Sequence, residues 1–443
     1  MIVYDNRGVP QTLTSGNQLE RIEKSLVGML GMEYDPSSFF SRTSEEFYCL
    51  ALVEIECINL ISSMERNQLL KANDIINLYK TKDAIQQMSD RDLLLFEGIE
   101  SWINRKYEEA HDKFSEILLS YPKDILTIFA THMLEFHMGW TRQMKDTISK
   151  VLSYWDKKDN LYGYLKGIES FCLEENGMYE ECFGAAQEAL SINKKDIYAI
   201  HSICHYFYET GQYNEGAKWM EDNIEDWKDN KYMRIHVWWH YALFKLYNLD
   251  FGKLTEVYKS EIRRKNDPLG MEDLDAASLL WRVKLLDRDQ DFDEKELLEN
   301  WEQYTENTFY CFNDLHALLV YFATKEEEKA NNLIEKSINQ NCSKYYRGII
   351  TSTFEGLKFF SEGKYKEAYT ALENILKSSS ALGGSNAQRD VFEMTAIEAA
   401  VRAGDVSKAN YLINNGRCFK HDSPLKRHYV NKILNNEKKG VSI

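Results

Sequence analysis

The sequence predicts an all-α protein built as a right-handed α-α superhelix of about 9–11 helical hairpins. Three observations predict it. Proline and glycine are scarce, 5 and 22 of 443 residues, which favours long helices joined by short turns. Apolar residues recur with the helical period along nearly the whole chain, and no stretch alternates as a strand would. A hairpin grammar also recurs at spacings of ~34 to 40 residues: a small residue where two helices approach, then an aromatic that opens the second helix.

Taken in order, residues 1–90 form an N-terminal helical region of degenerate hairpins. LERIEKSLVGMLGM (19–32) and EFYCLALVEIECINLISSM (46–64) have the apolar period but poor repeat register. The stretch RDLLLFEGIESWINRKYEEAHDKFSEILLSYPKD (91–124) matches the tetratricopeptide pattern. With Arg91 as position 1, Gly98 falls at 8, Tyr107 at 17, Ala110 at 20, Phe114 at 24 and Pro122 at 32. Second helices opened by Gly-x-aromatic follow at GMYEECFGAAQEALSINKKD (177–196), GQYNEGAKWMEDNIEDW (211–227) and GKYKEAYTALENILKSSS (363–380). First helices are expected at 125–139, 161–175, 197–209, 235–247, 270–286 and 311–323. Residues 91–443 thus read as one TPR-like solenoid, without a linker to divide it.

The formal charge is −16, from 54 basic and 70 acidic residues, which argues against nucleic acid or an anionic membrane surface as partner. The basic run KSEIRRK (259–265) reads as a solvated helix end. No run approaches the ~20 apolar residues a membrane span needs, and the N-terminus lacks the pattern of a signal peptide. Eight scattered cysteines without a C-x-x-C read as reduced, buried thiols. A cytoplasmic location is expected.

Two helical runs each carry a histidine pair, HSICH (201–205) and HVWWH (236–240). Spacing of i, i+4 stacks both members on one helix face. Aligned on Tyr213 and Phe251 as position 17, His201 and His205 fall at positions 5 and 9, and His236 and His240 at 2 and 6. His132 and His316 lie on other first helices. In a tetratricopeptide array these positions face the concave groove. Ten histidines placed at random would give on the order of 0.2 such i, i+4 pairs, so two on neighbouring hairpins are informative. A single histidine on such a helix is ordinarily a satisfied core side chain, and Trp238, Trp239, Tyr206 and Phe207 ordinarily build core; the group of four or more points to a site. Its spacing suits a divalent transition metal such as Zn²⁺, Fe²⁺ or Mn²⁺ on His201, His205, His236 and His240. It equally suits acid–base work or an anion pocket.

At 382–392 the chain reads LGGSNAQRDVF, an irregular turn with Asn or Ser placed to cap the next helix. This string, with HSICH, HVWWH, FNDLH (312–316) and YLKGIESF (164–171), resembles the tetratricopeptide repeat protein 38 family over about Arg91 to Asn435. The resemblance implies a helical repeat fold and a shared polar set at His132, His201, His205, His236, His240, His316, Asn313, Asp314 and Gln388–Asp390. The chain departs from the family pattern at Leu95, where relatives tend to carry His, and at Tyr208, where they tend to carry Glu; the second departure weakens a metal reading.

The expectation is a small-molecule site, with catalysis as its extension. His201, His205, His236, His240 and His316 would supply acid–base or ligand chemistry, and Asp314 would orient an imidazole. His132, Asn313, Asn386, Gln388, Arg389, Asp390 and Trp239 would bind substrate, with Arg389 clamping a carboxylate or phosphate and Asp390 holding Arg389 or a substrate amine. The alternative is a non-catalytic scaffold that binds a peptide or protein in the groove. Arrays that grip a C-terminal carboxylate place Lys, Arg and Asn where this chain has His. Cys204 as a nucleophile is disfavoured by its apolar neighbours.

Overall fold

The computed structural model describes residues 1–13, 18–33, 88–263, 270–288, 292–305, 309–340 and 347–440, with 54–55, 57–59, 61 and 71–77 between them. Most of the run at 46–64 and the end of the basic run at 259–265 lie outside the described residues. The chain divides into two compact units, Met1–Ser202 with Glu225–Met233, and Ile203–Ile224 with Arg234–Ile443. All three cuts fall inside helical segments, and none coincides with a Pro- or Gly-rich stretch.

The first unit opens on a feature the periodicity does not reveal. Strands β1 (Ile2–Tyr4) and β2 (Pro10–Thr12) pair antiparallel, Ile2 opposite Thr12. Three residues per strand are too few for alternation to register in a sequence. The Asp5 carboxylate closes the turn by accepting the N–H groups of Arg7 and Val9. Helix α1 (Gln18–Leu30) follows, then the pairs α2 (Asp90–Ile103) with α3 (Tyr107–Ser120), α4 (Ile125–His137) with α5 (Thr141–Leu152), and α6 (Tyr162–Glu175) with α7 (Tyr179–Ile192).

The α2–α3 hairpin shows why the repeat grammar works. Gly98 lies against the ring of Phe114, so closely that any Cβ would collide with it. Ser89 caps α2 by accepting the Asp92 N–H, and Asp124 caps α4 by accepting that of Thr127. Trp102, Phe114 and Phe129 are fully buried here, each such side chain contributing roughly 1.5–3 kcal/mol. Arg91, the first residue of the motif, is also buried. It donates to Asp124 at 2.6 and 2.9 Å, to Glu54 at 2.9 Å and to Asp92 at 2.7 Å.

Helix α8 (Ile197–Glu209) ends the first unit at Ser202 and opens the second. The second unit continues through α9 (Tyr213–Asp222), α10 (Met233–Tyr247, of which Met233 belongs to the first unit) and α11 (Phe251–Val257), which runs on as a π turn to Ile262. Then come α12 (Gly270–Leu285), α13 (Glu294–Tyr304), α14 (Cys311–Ala323), α15 (Glu327–Gln340), α16 (Arg347–Ser361), α17 (Tyr365–Leu372), α18 (Asn386–Arg402), α19 (Val406–Asn415) and α20 (Pro424–Gly440). The expected first helices correspond to α4, α6, α8, α10, α12 and α14. Helix α12 packs against both α14 and α18, and Trp281 on α12 donates to Thr395 on α18 at 2.9 Å. The fold is all-α, as expected. Among the described residues no helix is long and apolar enough to cross a membrane.

Candidate functional site

In the second unit α10 carries His236, Trp239 and His240 within five residues, so all three lie on one face. Trp239 stacks on His236, the rings 13° from parallel and 5.1 Å apart. The His240 ring stands edge-on to His236 at 5.0 Å and meets His205 of α8 at 4.4 Å. Each of His205, His236 and His240 offers a ring nitrogen within 4.8 Å of those of the other two. None of the three is more than 3% exposed. The expectation that they line an open groove is corrected here, because all three side chains are buried.

Helix α12 supplies what the sequence reading missed. His236 Nδ1 donates to both carboxylate oxygens of Asp275, each at 3.0 Å. That bond fixes the tautomer and leaves the lone pair on Nε2. Burial pushes the Asp275 carboxyl up, and His236 opposes the shift. Ser278 and Arg282 follow at i+3 and i+7 on the same face. The Arg282 guanidinium is wholly buried, lies 5.6 Å from the centre of the Trp239 ring, and donates to Ser278 Oγ and, at 2.8 Å, to the Ala387 carbonyl. Its Nε–H has no hydrogen-bond partner, nor has the Nε1–H of Trp239.

On α14, His316 Nδ1 donates to the Phe312 carbonyl one turn back at 2.9 Å. Its Nε2, wholly buried, has no partner. Burial pushes the imidazole down to about 3, and the charge of Arg282 adds to the shift. Asp314 does not orient it; that carboxylate accepts from Ser337 at 2.5 Å. Asn313 on the same helix is half-buried.

The loop before α18 is an internal brace. Gly383 and Gly384 have φ of 79° and 69°, and Gly384 packs against the Phe312 ring with no room for a side chain. Ser385 and Gln388 form a reciprocal capping box. Arg389, expected to clamp a ligand, donates instead to the Gly384 carbonyl and to Asn386 Oδ1 at 2.6 Å. The terminal nitrogens of this buried guanidinium are held by the tight turn and by Asn386. Asp390, expected to hold Arg389, accepts from the Tyr208 hydroxyl at 2.9 Å, and that hydroxyl meets the Tyr247 hydroxyl at 2.9 Å. Asp390 and Glu393 are both pushed up by burial. Cys418 donates its thiol to the Asp390 carbonyl at 3.1 Å and its N–H to Glu393 at 2.9 Å.

His132 and His201 belong to the first unit. His132 Nδ1 lies 3.6 Å from Cys172 Sγ, and burial pushes the imidazole down to about 3. The His201 ring packs on Phe171 at 5.3 Å. Burial likewise pushes up the thiols of Cys172, Cys182, Cys204 and Cys418, which leaves Cys204 protonated and unreactive.

Asp275, Ser278 and Arg282 had a readable signal, since DLDAASLLWRVKLL places an acid and a base seven residues apart inside an apolar helix. Glu393 and Cys418 had none, because only the packing of distant segments joins them.

Paired helices held by a small-residue contact, as Gly98 on Phe114 and Gly356 on Leu372, define an all-α helical-repeat fold of the tetratricopeptide type. No protein-family model matches the chain. Among solved structures it is similar to a human IFIT1 dimer with m7Gppp-AAAA, at 14% identity over 96% of each chain and a TM-score of 0.39. It is also similar to the TPR domain of P58(IPK), at 12% identity over 80% of this chain and 99% of that one, with a TM-score of 0.21. Scores and identities this low carry nothing about function.

Proposed function

We propose that this chain is a member of the tetratricopeptide repeat protein 38 family whose second unit binds, and acts on, a small anionic molecule at the seam between α10, α12 and α14. One observation carries the reading: the Nε–H of Arg282, the Nε1–H of Trp239 and the Nε2 of His316 are buried around one cation without hydrogen-bond partners. Buried polar atoms are rarely left unsatisfied, and each costs about 1–3 kcal/mol when it is. A carboxylate or phosphate supplies acceptors for the two N–H groups. A hydroxyl or amine on the same molecule supplies a donor for His316. An imidazole held near 3 is a poor base at neutral pH, so His316 serves as an acceptor that orients the ligand, and proton transfer falls to the His205–His236–His240 group. The peptide-scaffold alternative needs exposed first-helix side chains, and the burial of these residues favours a small ligand over a peptide.

The test is denaturing extraction of natively purified protein followed by mass spectrometry, with thermal-shift screening of small carboxylates and phosphates. An anionic molecule is expected from the wild-type chain and is lost in Trp239→Phe, which keeps an aromatic but smaller side chain and removes the N–H. A ligand at a hundred times its Kd stabilises by about 2.7 kcal/mol. If nothing is extracted and no compound shifts the melting of the wild-type chain, the reading falls.

A further inference from the structure

We infer that His205, His236 and His240 form a mononuclear site for a divalent transition metal, Zn²⁺ or Co²⁺ in preference to Fe²⁺ or Mn²⁺, with Asp275 as the carboxylate behind His236. The inference deepens the proposed function, since it rests on the same seam being the ligand centre.

The geometry comes first. Two imidazoles at i, i+4 on α10 and a third from α8 bring three ring nitrogens within 4.8 Å of one another. Zinc holds imidazole nitrogens at about 2.0–2.1 Å in tetrahedral array, which sets neighbouring donors a little over 3 Å apart. Small rotamer adjustments of three rings already in contact close that gap. The second observation is independent of the first. A metal-bound histidine characteristically donates its other N–H to a carboxylate, and His236 does so to both oxygens of Asp275.

Donor chemistry narrows the metal. Three neutral imidazoles without a carboxylate or thiolate among them suit a borderline ion. Non-haem iron sites use two histidines and a carboxylate as ligands, whereas the carboxylate bonded to His236 stands behind a ligand. Calcium and magnesium want oxygen. Imidazole ligands leave the ion its full double charge, which agrees with the anionic ligand read from the unpartnered N–H groups. Another compact donor group of this unit, Asp390, Glu393 and Cys418, is already engaged: its thiol donates to a carbonyl and Glu393 accepts the Cys418 N–H.

The test is elemental analysis of the full chain purified without an affinity tag, then titration of the metal-stripped chain with Co²⁺ followed by visible absorption. About one equivalent of zinc per chain is expected, together with the intense absorption of four-coordinate cobalt. His240→Ala abolishes both. Asp275→Asn keeps the ligands and weakens binding by about 10–100-fold. His316→Gln, outside the trio, leaves the stoichiometry unchanged. Where His240→Ala fails to fold, His240→Gln takes its place, with circular dichroism as the control. A wild-type chain that takes up no Co²⁺, or a folded His240 variant that binds it as well as wild type, overturns the site. The two proposals fail separately: an anion recovered from metal-free protein removes the metal and keeps the ligand site, whereas metal bound with no anion recovered removes the proposed function and keeps the metal.

Discussion

Gly384 shows how much of the second unit depends on single atoms. Its φ of 69° lies in the left-handed region, and the Phe312 ring occupies the space a Cβ would take. The carbonyl of that same Phe312 holds His316 in its tautomer. Gly384→Ala therefore meets backbone strain and overpacking together, of which the overpacking alone costs about 1–3 kcal/mol. Urea unfolding followed by fluorescence is expected to show a lower midpoint, and a midpoint within error of wild type would mean that the loop relaxes freely. At this scale the sequence was half legible. Histidine spacing pointed to the ligand group because i, i+4 geometry is local. Asp275 was invisible as a partner because it lies 39 residues from His236 and meets it only through packing of neighbouring hairpins. Arg389 and Asp390 misled for a related reason: a polar cluster in sequence reads as a ligand clamp, whereas here the tight-turn backbone holds Arg389 and the Tyr208 hydroxyl bonds Asp390.

Helix α18 carries the next scale. Its first turn follows two glycines and would fray without help, but Ser385 and Gln388 satisfy one another's backbone N–H. Ser385→Ala removes half of that exchange and is expected to cost about 0.5–2 kcal/mol. Hydrogen exchange resolves where: protection should fall in the first turn of α18 while the α2–α3 hairpin of the first unit stays unchanged, and uniform loss would contradict a local cap. Helices were the most legible level, because hairpin packing imposes a small residue at one fixed place and an aromatic at another. Gly98 and Phe114 obey that rule, and the motif at 91–124 announces it. The β1–β2 hairpin was missed, since three-residue strands stabilised by one carboxylate leave no period to read.

For the whole molecule, pH sets opposing demands. His132 in the first unit and His316 in the second are held neutral, both pushed down to about 3 from an ordinary value near 6.5. A lowered histidine contributes stability that is complete above 6.5 and lost as pH falls towards 3, because only the unfolded chain takes up the proton. Asp196, pushed up by burial to about 7, works the other way: its contribution is complete below 3.8 and lost as pH rises through 7. The two slopes partly cancel in wild type, so the histidine effect is read by difference. His316→Gln is expected to be less stable than wild type at pH 7, with the gap narrowing by about 1.4 kcal/mol per pH unit towards pH 4. Urea midpoints across that range check it, and a constant gap would show that His316 does not titrate on unfolding. At this scale the all-α class was readable from composition and period. The two units were not, because their boundaries run through helices and leave no mark in composition.

The described cysteines fall three to each unit, Cys57, Cys172 and Cys182 in the first and Cys204, Cys311 and Cys418 in the second, and all six are buried. A sulfhydryl walled off in this way reacts with a dye only during the moments when its surroundings open. With Cys49 and Cys342, outside the described residues, replaced by serine, the chain becomes a set of internal clocks. Mass-resolved labelling rates then time the breathing of each unit separately, and a bound ion or anion in the second would slow the ticking of Cys204 while that of Cys172 keeps its pace.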